Sequence, residues 1–202
     1  MNPVHRPARR TLVAAAAASL ALVLATARAQ APAADAPPVT VTLETSAGTI
    51  VLELDSQHAP RTVANFVQYV KAGHYENTIF HRVIPEFMIQ GGGFTTTGQE
   101  KPTRPPVAIE SNNGLKNVRG SVAMARRPDP NSATAQFFIN TVDNAFLDYP
   151  GRDGAGYTVF GRVVQGMETV DKIRMTPTAN QGGAFTNAPV TPVVILKARL
   201  GK

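Results

Sequence analysis

The sequence contains no cysteine. That excludes disulfides, thiolate zinc sites and a lipid anchor on cysteine, so the fold must rest on its hydrophobic core alone. No uncharged apolar run reaches membrane-spanning length either. Thr11 to Ala25 is apolar and alanine-rich, but it falls short of the ~20 residues a spanning helix needs. Histidine is sparse. Beyond residue 29 there are only His58, His74 and His81, and none stands at metal-ligand spacing from another. No G-x-S-x-G elbow, internal repeat or basic cluster interleaved with aromatics is present, so a serine hydrolase, a repeat fold or a nucleic-acid surface has no support.

What is there begins with an order of segments. His5, Arg6, Arg9 and Arg10 form a basic start, the apolar run follows, and Ala27-Arg28-Ala29 precedes Gln30. Basic, apolar and small-x-small in that order read as a secretory signal peptide over 1–29, cleaved after Ala29. A Sec route is the reading taken, with Arg9-Arg10 leaving a twin-arginine route open. No membrane insertion is expected once it is removed. Residues 30–39, rich in Ala and Pro, read as a disordered tether, and 40–202 as one domain. The basic excess sits largely in the export segment. The remaining 173 residues carry 16 basic and 14 acidic side chains, a formal charge of +2. That balance gives no reason to expect a nucleic-acid partner.

Within the domain, Val41, Leu43 and Thr45, then Ile50, Leu52 and Leu54, alternate with polar or outward residues. These are two period-2 strands joined by a hairpin turn at Ser46-Ala47-Gly48. Pro60 suits a first helical position. Val63, Phe66, Val67 and Val70 form a helical stripe, and Gly73 suits the stop. Further strands are expected at Ile79–Ile84, Phe87–Gln90, Ser121–Ala125, Phe137–Thr141, Thr158–Val164 and Val193–Leu200, and a second helix at Met167–Arg174. Many short strands with two helices mean a β-barrel or a sandwich, and pattern alone does not choose. Gly91-Gly92-Gly93 reads as a tight bend or a close backbone approach, because no helix follows to make a phosphate loop. His58 and His74 flank the first helix and read as solvated. Asp129, Asp143 and Asp148 sit in turns and read as backbone caps.

One segment carries more. Phe80-His81-Arg82-Val83-Ile84-Pro85-Glu86-Phe87-Met88-Ile89-Gln90-Gly91-Gly92 sets Arg82 and Gln90 among large apolar residues. Strand alternation points Phe80 and Arg82 the same way, and composition alone favours an edge-strand arginine that snorkels to water. The segment nevertheless resembles the signature of the cyclophilin family of peptidyl-prolyl isomerases. Gly120 to Arg126 is similar to that family's next strand. Ser132-Ala133-Thr134-Ala135-Gln136-Phe137-Phe138-Ile139 resembles its S-x-x-S-Q-F-F-I motif, with Ala135 for the second serine. Asn144 to Asp148 and Val159 to Val163 follow in the family's order. Four motifs in register from about 40 to 200, behind an export signal, resemble most the periplasmic bacterial members of the isomerase A type.

The resemblance implies a mainly β fold, a closed eight-stranded antiparallel barrel with a helix over each end. It implies catalysis by Arg82 and a proline pocket from Phe87, Met88, Phe138 and Leu147. Gln90 and Gln136 are implied beside the arginine, His81 close by, and Ala125 and Arg126 on the strand that pairs with the substrate main chain. Phe146 stands where the best-known eukaryotic members carry Trp, and Tyr157 where they carry His. Loss of the indole N–H removes a donor, so weak binding of cyclosporin is expected. The implied partners are proline-containing peptides of exported proteins, with no cofactor or metal and a monomeric state. Phe80, Phe137 and Phe160 are expected in the core. Two other classes remain open at this point. One is a binding module that holds proline peptides without accelerating rotation, and the other is a hollow β-barrel carrier.

Overall fold

The computed structural model describes residues 38–201. The expected signal segment and most of the tether lie outside the described residues. Strands β1 (Val39–Thr45) and β2 (Gly48–Leu54) form the expected hairpin, paired from Val39↔Leu54 to Thr45↔Gly48. Thr45 closes its turn: its hydroxyl donates to the Gly48 carbonyl at 2.6 Å and accepts from the Ala47 N–H at 3.1 Å. Helix α1 (Pro60–Lys71) starts on Pro60, as read, and buries Thr62, Val63, Phe66, Tyr69 and Val70. Then follow β3 (Thr78–Ile84), β4 (Met88–Thr95), β5 (Ser121–Met124), β6 (Phe137–Asn140), β7 (Val159–Gln165), helix α2 (Met167–Arg174) and, near the end, β10 (Val194–Leu200). Two two-residue strands, β8 (Thr178–Ala179) and β9 (Ala188–Pro189), pair with each other as a separate ribbon.

The eight longer strands close into an antiparallel barrel in the order β1-β10-β3-β4-β6-β5-β7-β2, so barrel rather than sandwich is the outcome. Closure leaves no free sheet edge among these strands. The helices belong to opposite ends of β2. Helix α1 follows its Leu54 end, whereas Thr169 of α2 packs against Gly48 at the other. Phe66 of α1 reaches into an aromatic cluster with Tyr75, Phe137 and Phe160, at ring separations of 4.9, 5.5 and 5.1 Å. Phe80, Phe137 and Phe160 are fully buried, as expected.

Three expectations need correction. Gly91-Gly92-Gly93 is not a bend but part of β4. The close-approach reading holds: a Cβ on Gly91 would lie 2.9 Å from the Ile79 carbonyl, and one on Gly93 2.5 Å from the Gln136 side chain. His74 is buried, not solvated, because its Nε2 lies 3.1 Å from the Gly92 carbonyl and its ring packs on Tyr69 and Tyr75. Phe80 and Arg82 do not point the same way. The β3–β4 register slips between them, so Phe80 and Val83 both enter the core and Arg82 does not. A β-bulge inserts a residue and resets alternation. Other readings stand. His58 is exposed and pairs with Asp55. Asp129, Asp143 and Asp148 accept from the backbone N–H groups of Asn131, Arg119 and Asn117.

Candidate functional site

Strand alternation builds two apolar clusters on the two faces of one wall. On β6, Phe137 and Ile139 face the barrel core while Phe138 joins a second cluster outside it. On the neighbouring strands Met88, Ala123 and Val159 do the same, opposite inward Ile89, Val122 and Phe160. Leu147 completes this second cluster, with Ile84, Phe87, Leu115, Ala125 and Tyr157 partly buried around it. The register aligns one row across five strands: Arg82↔Gln90, Gln90↔Phe138, Phe138↔Ala123, Ala123↔Val159. An arginine thus stands at the end of a row whose centre is apolar.

Around that row the side chains are held by specific bonds. Gln90 Nε2 donates to Gln136 Oε1 at 3.0 Å, so the two amides form a pair rather than capping strand ends. The guanidinium of Arg82 lies 5.8 Å from the Phe87 ring centroid. Phe87 stacks on Phe146 at 5.6 Å and 24°. Phe146 and Leu147 belong to a 3-10 turn, Ala145–Leu147. Buried Asn144 anchors that turn, donating through Nδ2 to the Phe87 carbonyl (2.8 Å) and to Asn140 Oδ1 (2.7 Å). Tyr157 donates its N–H to the Leu147 carbonyl at 2.9 Å, and its ring meets Phe138 edge-on at 5.8 Å. Apart from His81, the candidate residues read from the sequence are brought to one face of the barrel, and Arg126 and His81 each need a qualification.

The first is Arg126. Its side chain is only 3% exposed and is spent on structure. It bonds the Gly156 carbonyl (2.9 Å) and Asp153, and its guanidinium lies 4.5 Å over the Tyr157 ring. That guanidinium, helped by the N–H groups of Gly156 and Ala155, holds the Asp153 carboxyl well below the usual carboxylate range. What Arg126 offers a ligand is main chain. Ala125 N–H donates to the Gln136 carbonyl at 3.0 Å. The N–H and C=O of Arg126 beyond it carry no backbone bond among the described residues.

The second is His81. It sits at the bulge, 2% exposed, between the rings of Phe94 (4.7 Å) and Phe185 (6.0 Å). Its Nδ1 is buried without a hydrogen-bond partner among the described residues. Burial, with Arg82 alongside, lowers its pKa to about 4. The fold thus favours the neutral ring, whereas the unfolded chain protonates near 6.5. The resulting stability is fully present above pH 6.5 and is lost as pH falls toward 4, by about 3 kcal/mol over that window. His74, also lowered by burial, acts in the same direction. His81→Phe keeps the ring packing and removes the titration. It is expected to flatten the fall in denaturation midpoint between pH 6.5 and 4. An unchanged fall would assign that pH dependence to other groups.

An open cleft of about 590 Å³ lies elsewhere, between the start of α1 and the loops 109–113 and 149–155. Burial there would raise the Glu110 pKa, but hydrogen bonds from Thr62 and Arg61 outweigh it and keep the carboxyl low. Glu110 thereby caps the first turn of α1.

Sequence reading missed the Asn117–Asn140–Asn144 network, the Phe94–His81–Phe185 stack and Arg152, whose guanidinium lies 4.8 Å over Phe146. No local pattern marks any of them.

A closed antiparallel barrel carrying an arginine beside an outward apolar cluster defines a class, and residues 40–200 match the family described as cyclophilin type peptidyl-prolyl cis-trans isomerase/CLD. The chain belongs to that family and is a peptidyl-prolyl cis-trans isomerase. It is 56% identical over 162 residues to peptidyl-prolyl cis-trans isomerase A of Dickeya dadantii, covering 80% of this chain and 84% of that one. It is 55% identical to the isomerase cyp18 of Streptomyces antibioticus, over 80% of this chain and 98% of the relative. Among solved structures, a Cryptosporidium parvum cyclophilin in the presence of the dipeptide Ala-Pro superposes with a TM-score of 0.67 at 26% identity, covering 81% of this chain and 99% of that one.

Proposed function

We propose that Arg82 is the catalytic group, that Phe87, Met88, Phe138 and Leu147 hold the proline ring, and that the substrate main chain runs along Ala125 and Arg126. The prolyl bond is planar by resonance, with a barrier of ~18–20 kcal/mol. Rotation localises the lone pair on the prolyl nitrogen. A guanidinium aimed there has little to bind in the planar amide and binds well in the twisted one, and such differential binding is catalysis. No bond is broken, so the step needs no nucleophile, redox group or metal. The observation that carries this reading is the row from Arg82 through Gln90 to Phe138, which sets a charged donor beside an outward apolar cluster. The pocket adds desolvation of the amide, whose planar form is the more polar.

Arginine keeps its proton across the working range and cannot trade it. Turnover is therefore expected to be flat from about pH 6 to 9, measured as the pH profile of kcat/KM. A bell-shaped profile with a midpoint near 7 would instead mark general acid–base chemistry and contradict the proposal.

The segment 1–29 supports action on exported, periplasmic proteins, with 30–39 as a tether and 40–202 as the monomeric working domain. Intact mass of the protein recovered from the periplasm is expected to match residues 30–202. A mass retaining 1–29 would contradict export with cleavage. Phe146 has no indole N–H to offer, so cyclosporin binding is expected to be weak.

A further inference from the structure

The wall of the pocket is a column of four groups. The Arg82 guanidinium lies over Phe87, Phe87 stacks on Phe146, and the Arg152 guanidinium lies over the Phe146 ring, with separations of 5.8, 5.6 and 4.8 Å. Phe146 is 41% exposed, so this end of the column is open to residues of a bound chain. A guanidinium laid on an aromatic face keeps its N–H edge available, and that fork matches a carboxylate.

The charge at this end of the column is uncompensated. Among the described residues no carboxylate lies within 4.0 Å of Arg152. Asp153, next to it in the chain, is engaged by Arg126, and Asp148 by Lys116 and by the Asn117 N–H and side-chain amide. The loop that presents Arg152 is pinned. Arg126 ties down Asp153 and the Gly156 carbonyl, and Gly156 fits so closely that a Cβ would sit 2.7 Å from the Tyr149 nitrogen.

We propose that Arg152 is a specificity-determining residue that makes the enzyme favour prolyl bonds flanked by an acidic side chain. This rests on the pocket assignment above. It concerns the residues beside the proline, not the rotation itself.

The test uses short Ala-Pro peptides with Glu or Gln placed two positions before or one or two positions after the proline, and kcat/KM for each measured by NMR exchange. The Glu peptide is expected to exceed its Gln twin about threefold to fivefold in at least one position at low salt, as suits an exposed charge pair. The ratio should shrink as salt shortens the screening length to ~8 Å at 0.15 M. Arg152→Gln should bring it to about one and Arg152→Glu should invert it. Arg162→Gln removes the same charge from the exposed Arg162–Glu53 pair on β7 and β2, and should leave the ratio intact. A ratio of one in the unmodified protein, a ratio that survives Arg152→Gln, or equal loss in Arg162→Gln would overturn the inference. Acceleration of the Gln peptides reports the pocket by itself, so the two readings fail separately.

Discussion

Arg82→Ala is expected to lower kcat by about 10²- to 10³-fold, as removal of a single preorganised donor does elsewhere, while KM changes by less than about threefold. The asymmetry follows from when the bond forms. In the planar amide the prolyl nitrogen has no lone pair to offer, so the arginine contributes little to binding. In the twisted amide the lone pair is local, and in the role proposed for Arg82 the guanidinium meets it. A group that binds only the transition state appears in kcat and hardly in KM. The fold also shields the measurement from indirect effects. Arg82 lies outside the barrel core, and its ring contact with Phe87 is 5.8 Å, so its loss leaves no cavity in the core. Equal losses in kcat and in substrate affinity would mean that Arg82 serves general binding instead. Arg82→Lys keeps the charge and loses the fork, and an intermediate loss is expected from it.

Phe137→Ala is expected to destabilise the protein by about 3–5 kcal/mol, the range for emptying a large aromatic site in a packed core. Its ring is fully buried and meets Phe66, Tyr75 and Phe80 at 5.5, 5.6 and 6.2 Å, three contacts that join α1, the loop after it and β3. Chemical denaturation read by circular dichroism measures the loss. Its neighbour Phe138 points the other way, into the Met88–Leu147 cluster. Phe138→Ala should therefore raise KM markedly on top of its own loss of stability, whereas Phe137→Ala, assayed well below its melting temperature, should leave KM near normal. If both changes raise KM alike, the division of β6 into a core face and a site face is wrong.

Those two neighbours also show what the sequence makes legible. Period-2 alternation places Phe137 and Phe138 on opposite faces, and the β1–β2 hairpin and both helices follow from patterns within a dozen residues. Pro60 marks the start of α1, and Met167–Arg174 appears as α2 where the pattern puts it. The pattern alone left barrel and sandwich open, because closure depends on β1 meeting β10 across nearly the whole chain. The same distance hides the rest. His74 reads as a surface residue until the Gly92 carbonyl, 18 positions on, gives it a buried partner. The bulge between Phe80 and Arg82 has no local mark, so alternation mispredicts their faces. Arg152 is one arginine in a Gly-rich loop, and only the folded 3-10 turn at Ala145–Leu147 brings Phe146 beneath it. The assembly of Arg82 with Phe87, Gln90 and Phe138 was accessible through motif resemblance, whereas composition alone favoured a snorkelling arginine.

The role proposed for Arg82 acts on rotation rather than on binding. Proton NMR exchange between the cis and trans forms of an Ala-Pro peptide tests it most directly, with catalytic amounts of residues 30–202 or of the Arg82→Ala form. The uncatalysed exchange takes tens to hundreds of seconds, so acceleration is unmistakable. The account predicts strong acceleration by the unmodified protein and almost none by the variant, with peptide binding by the two alike. Undiminished exchange in the Arg82→Ala form would contradict it.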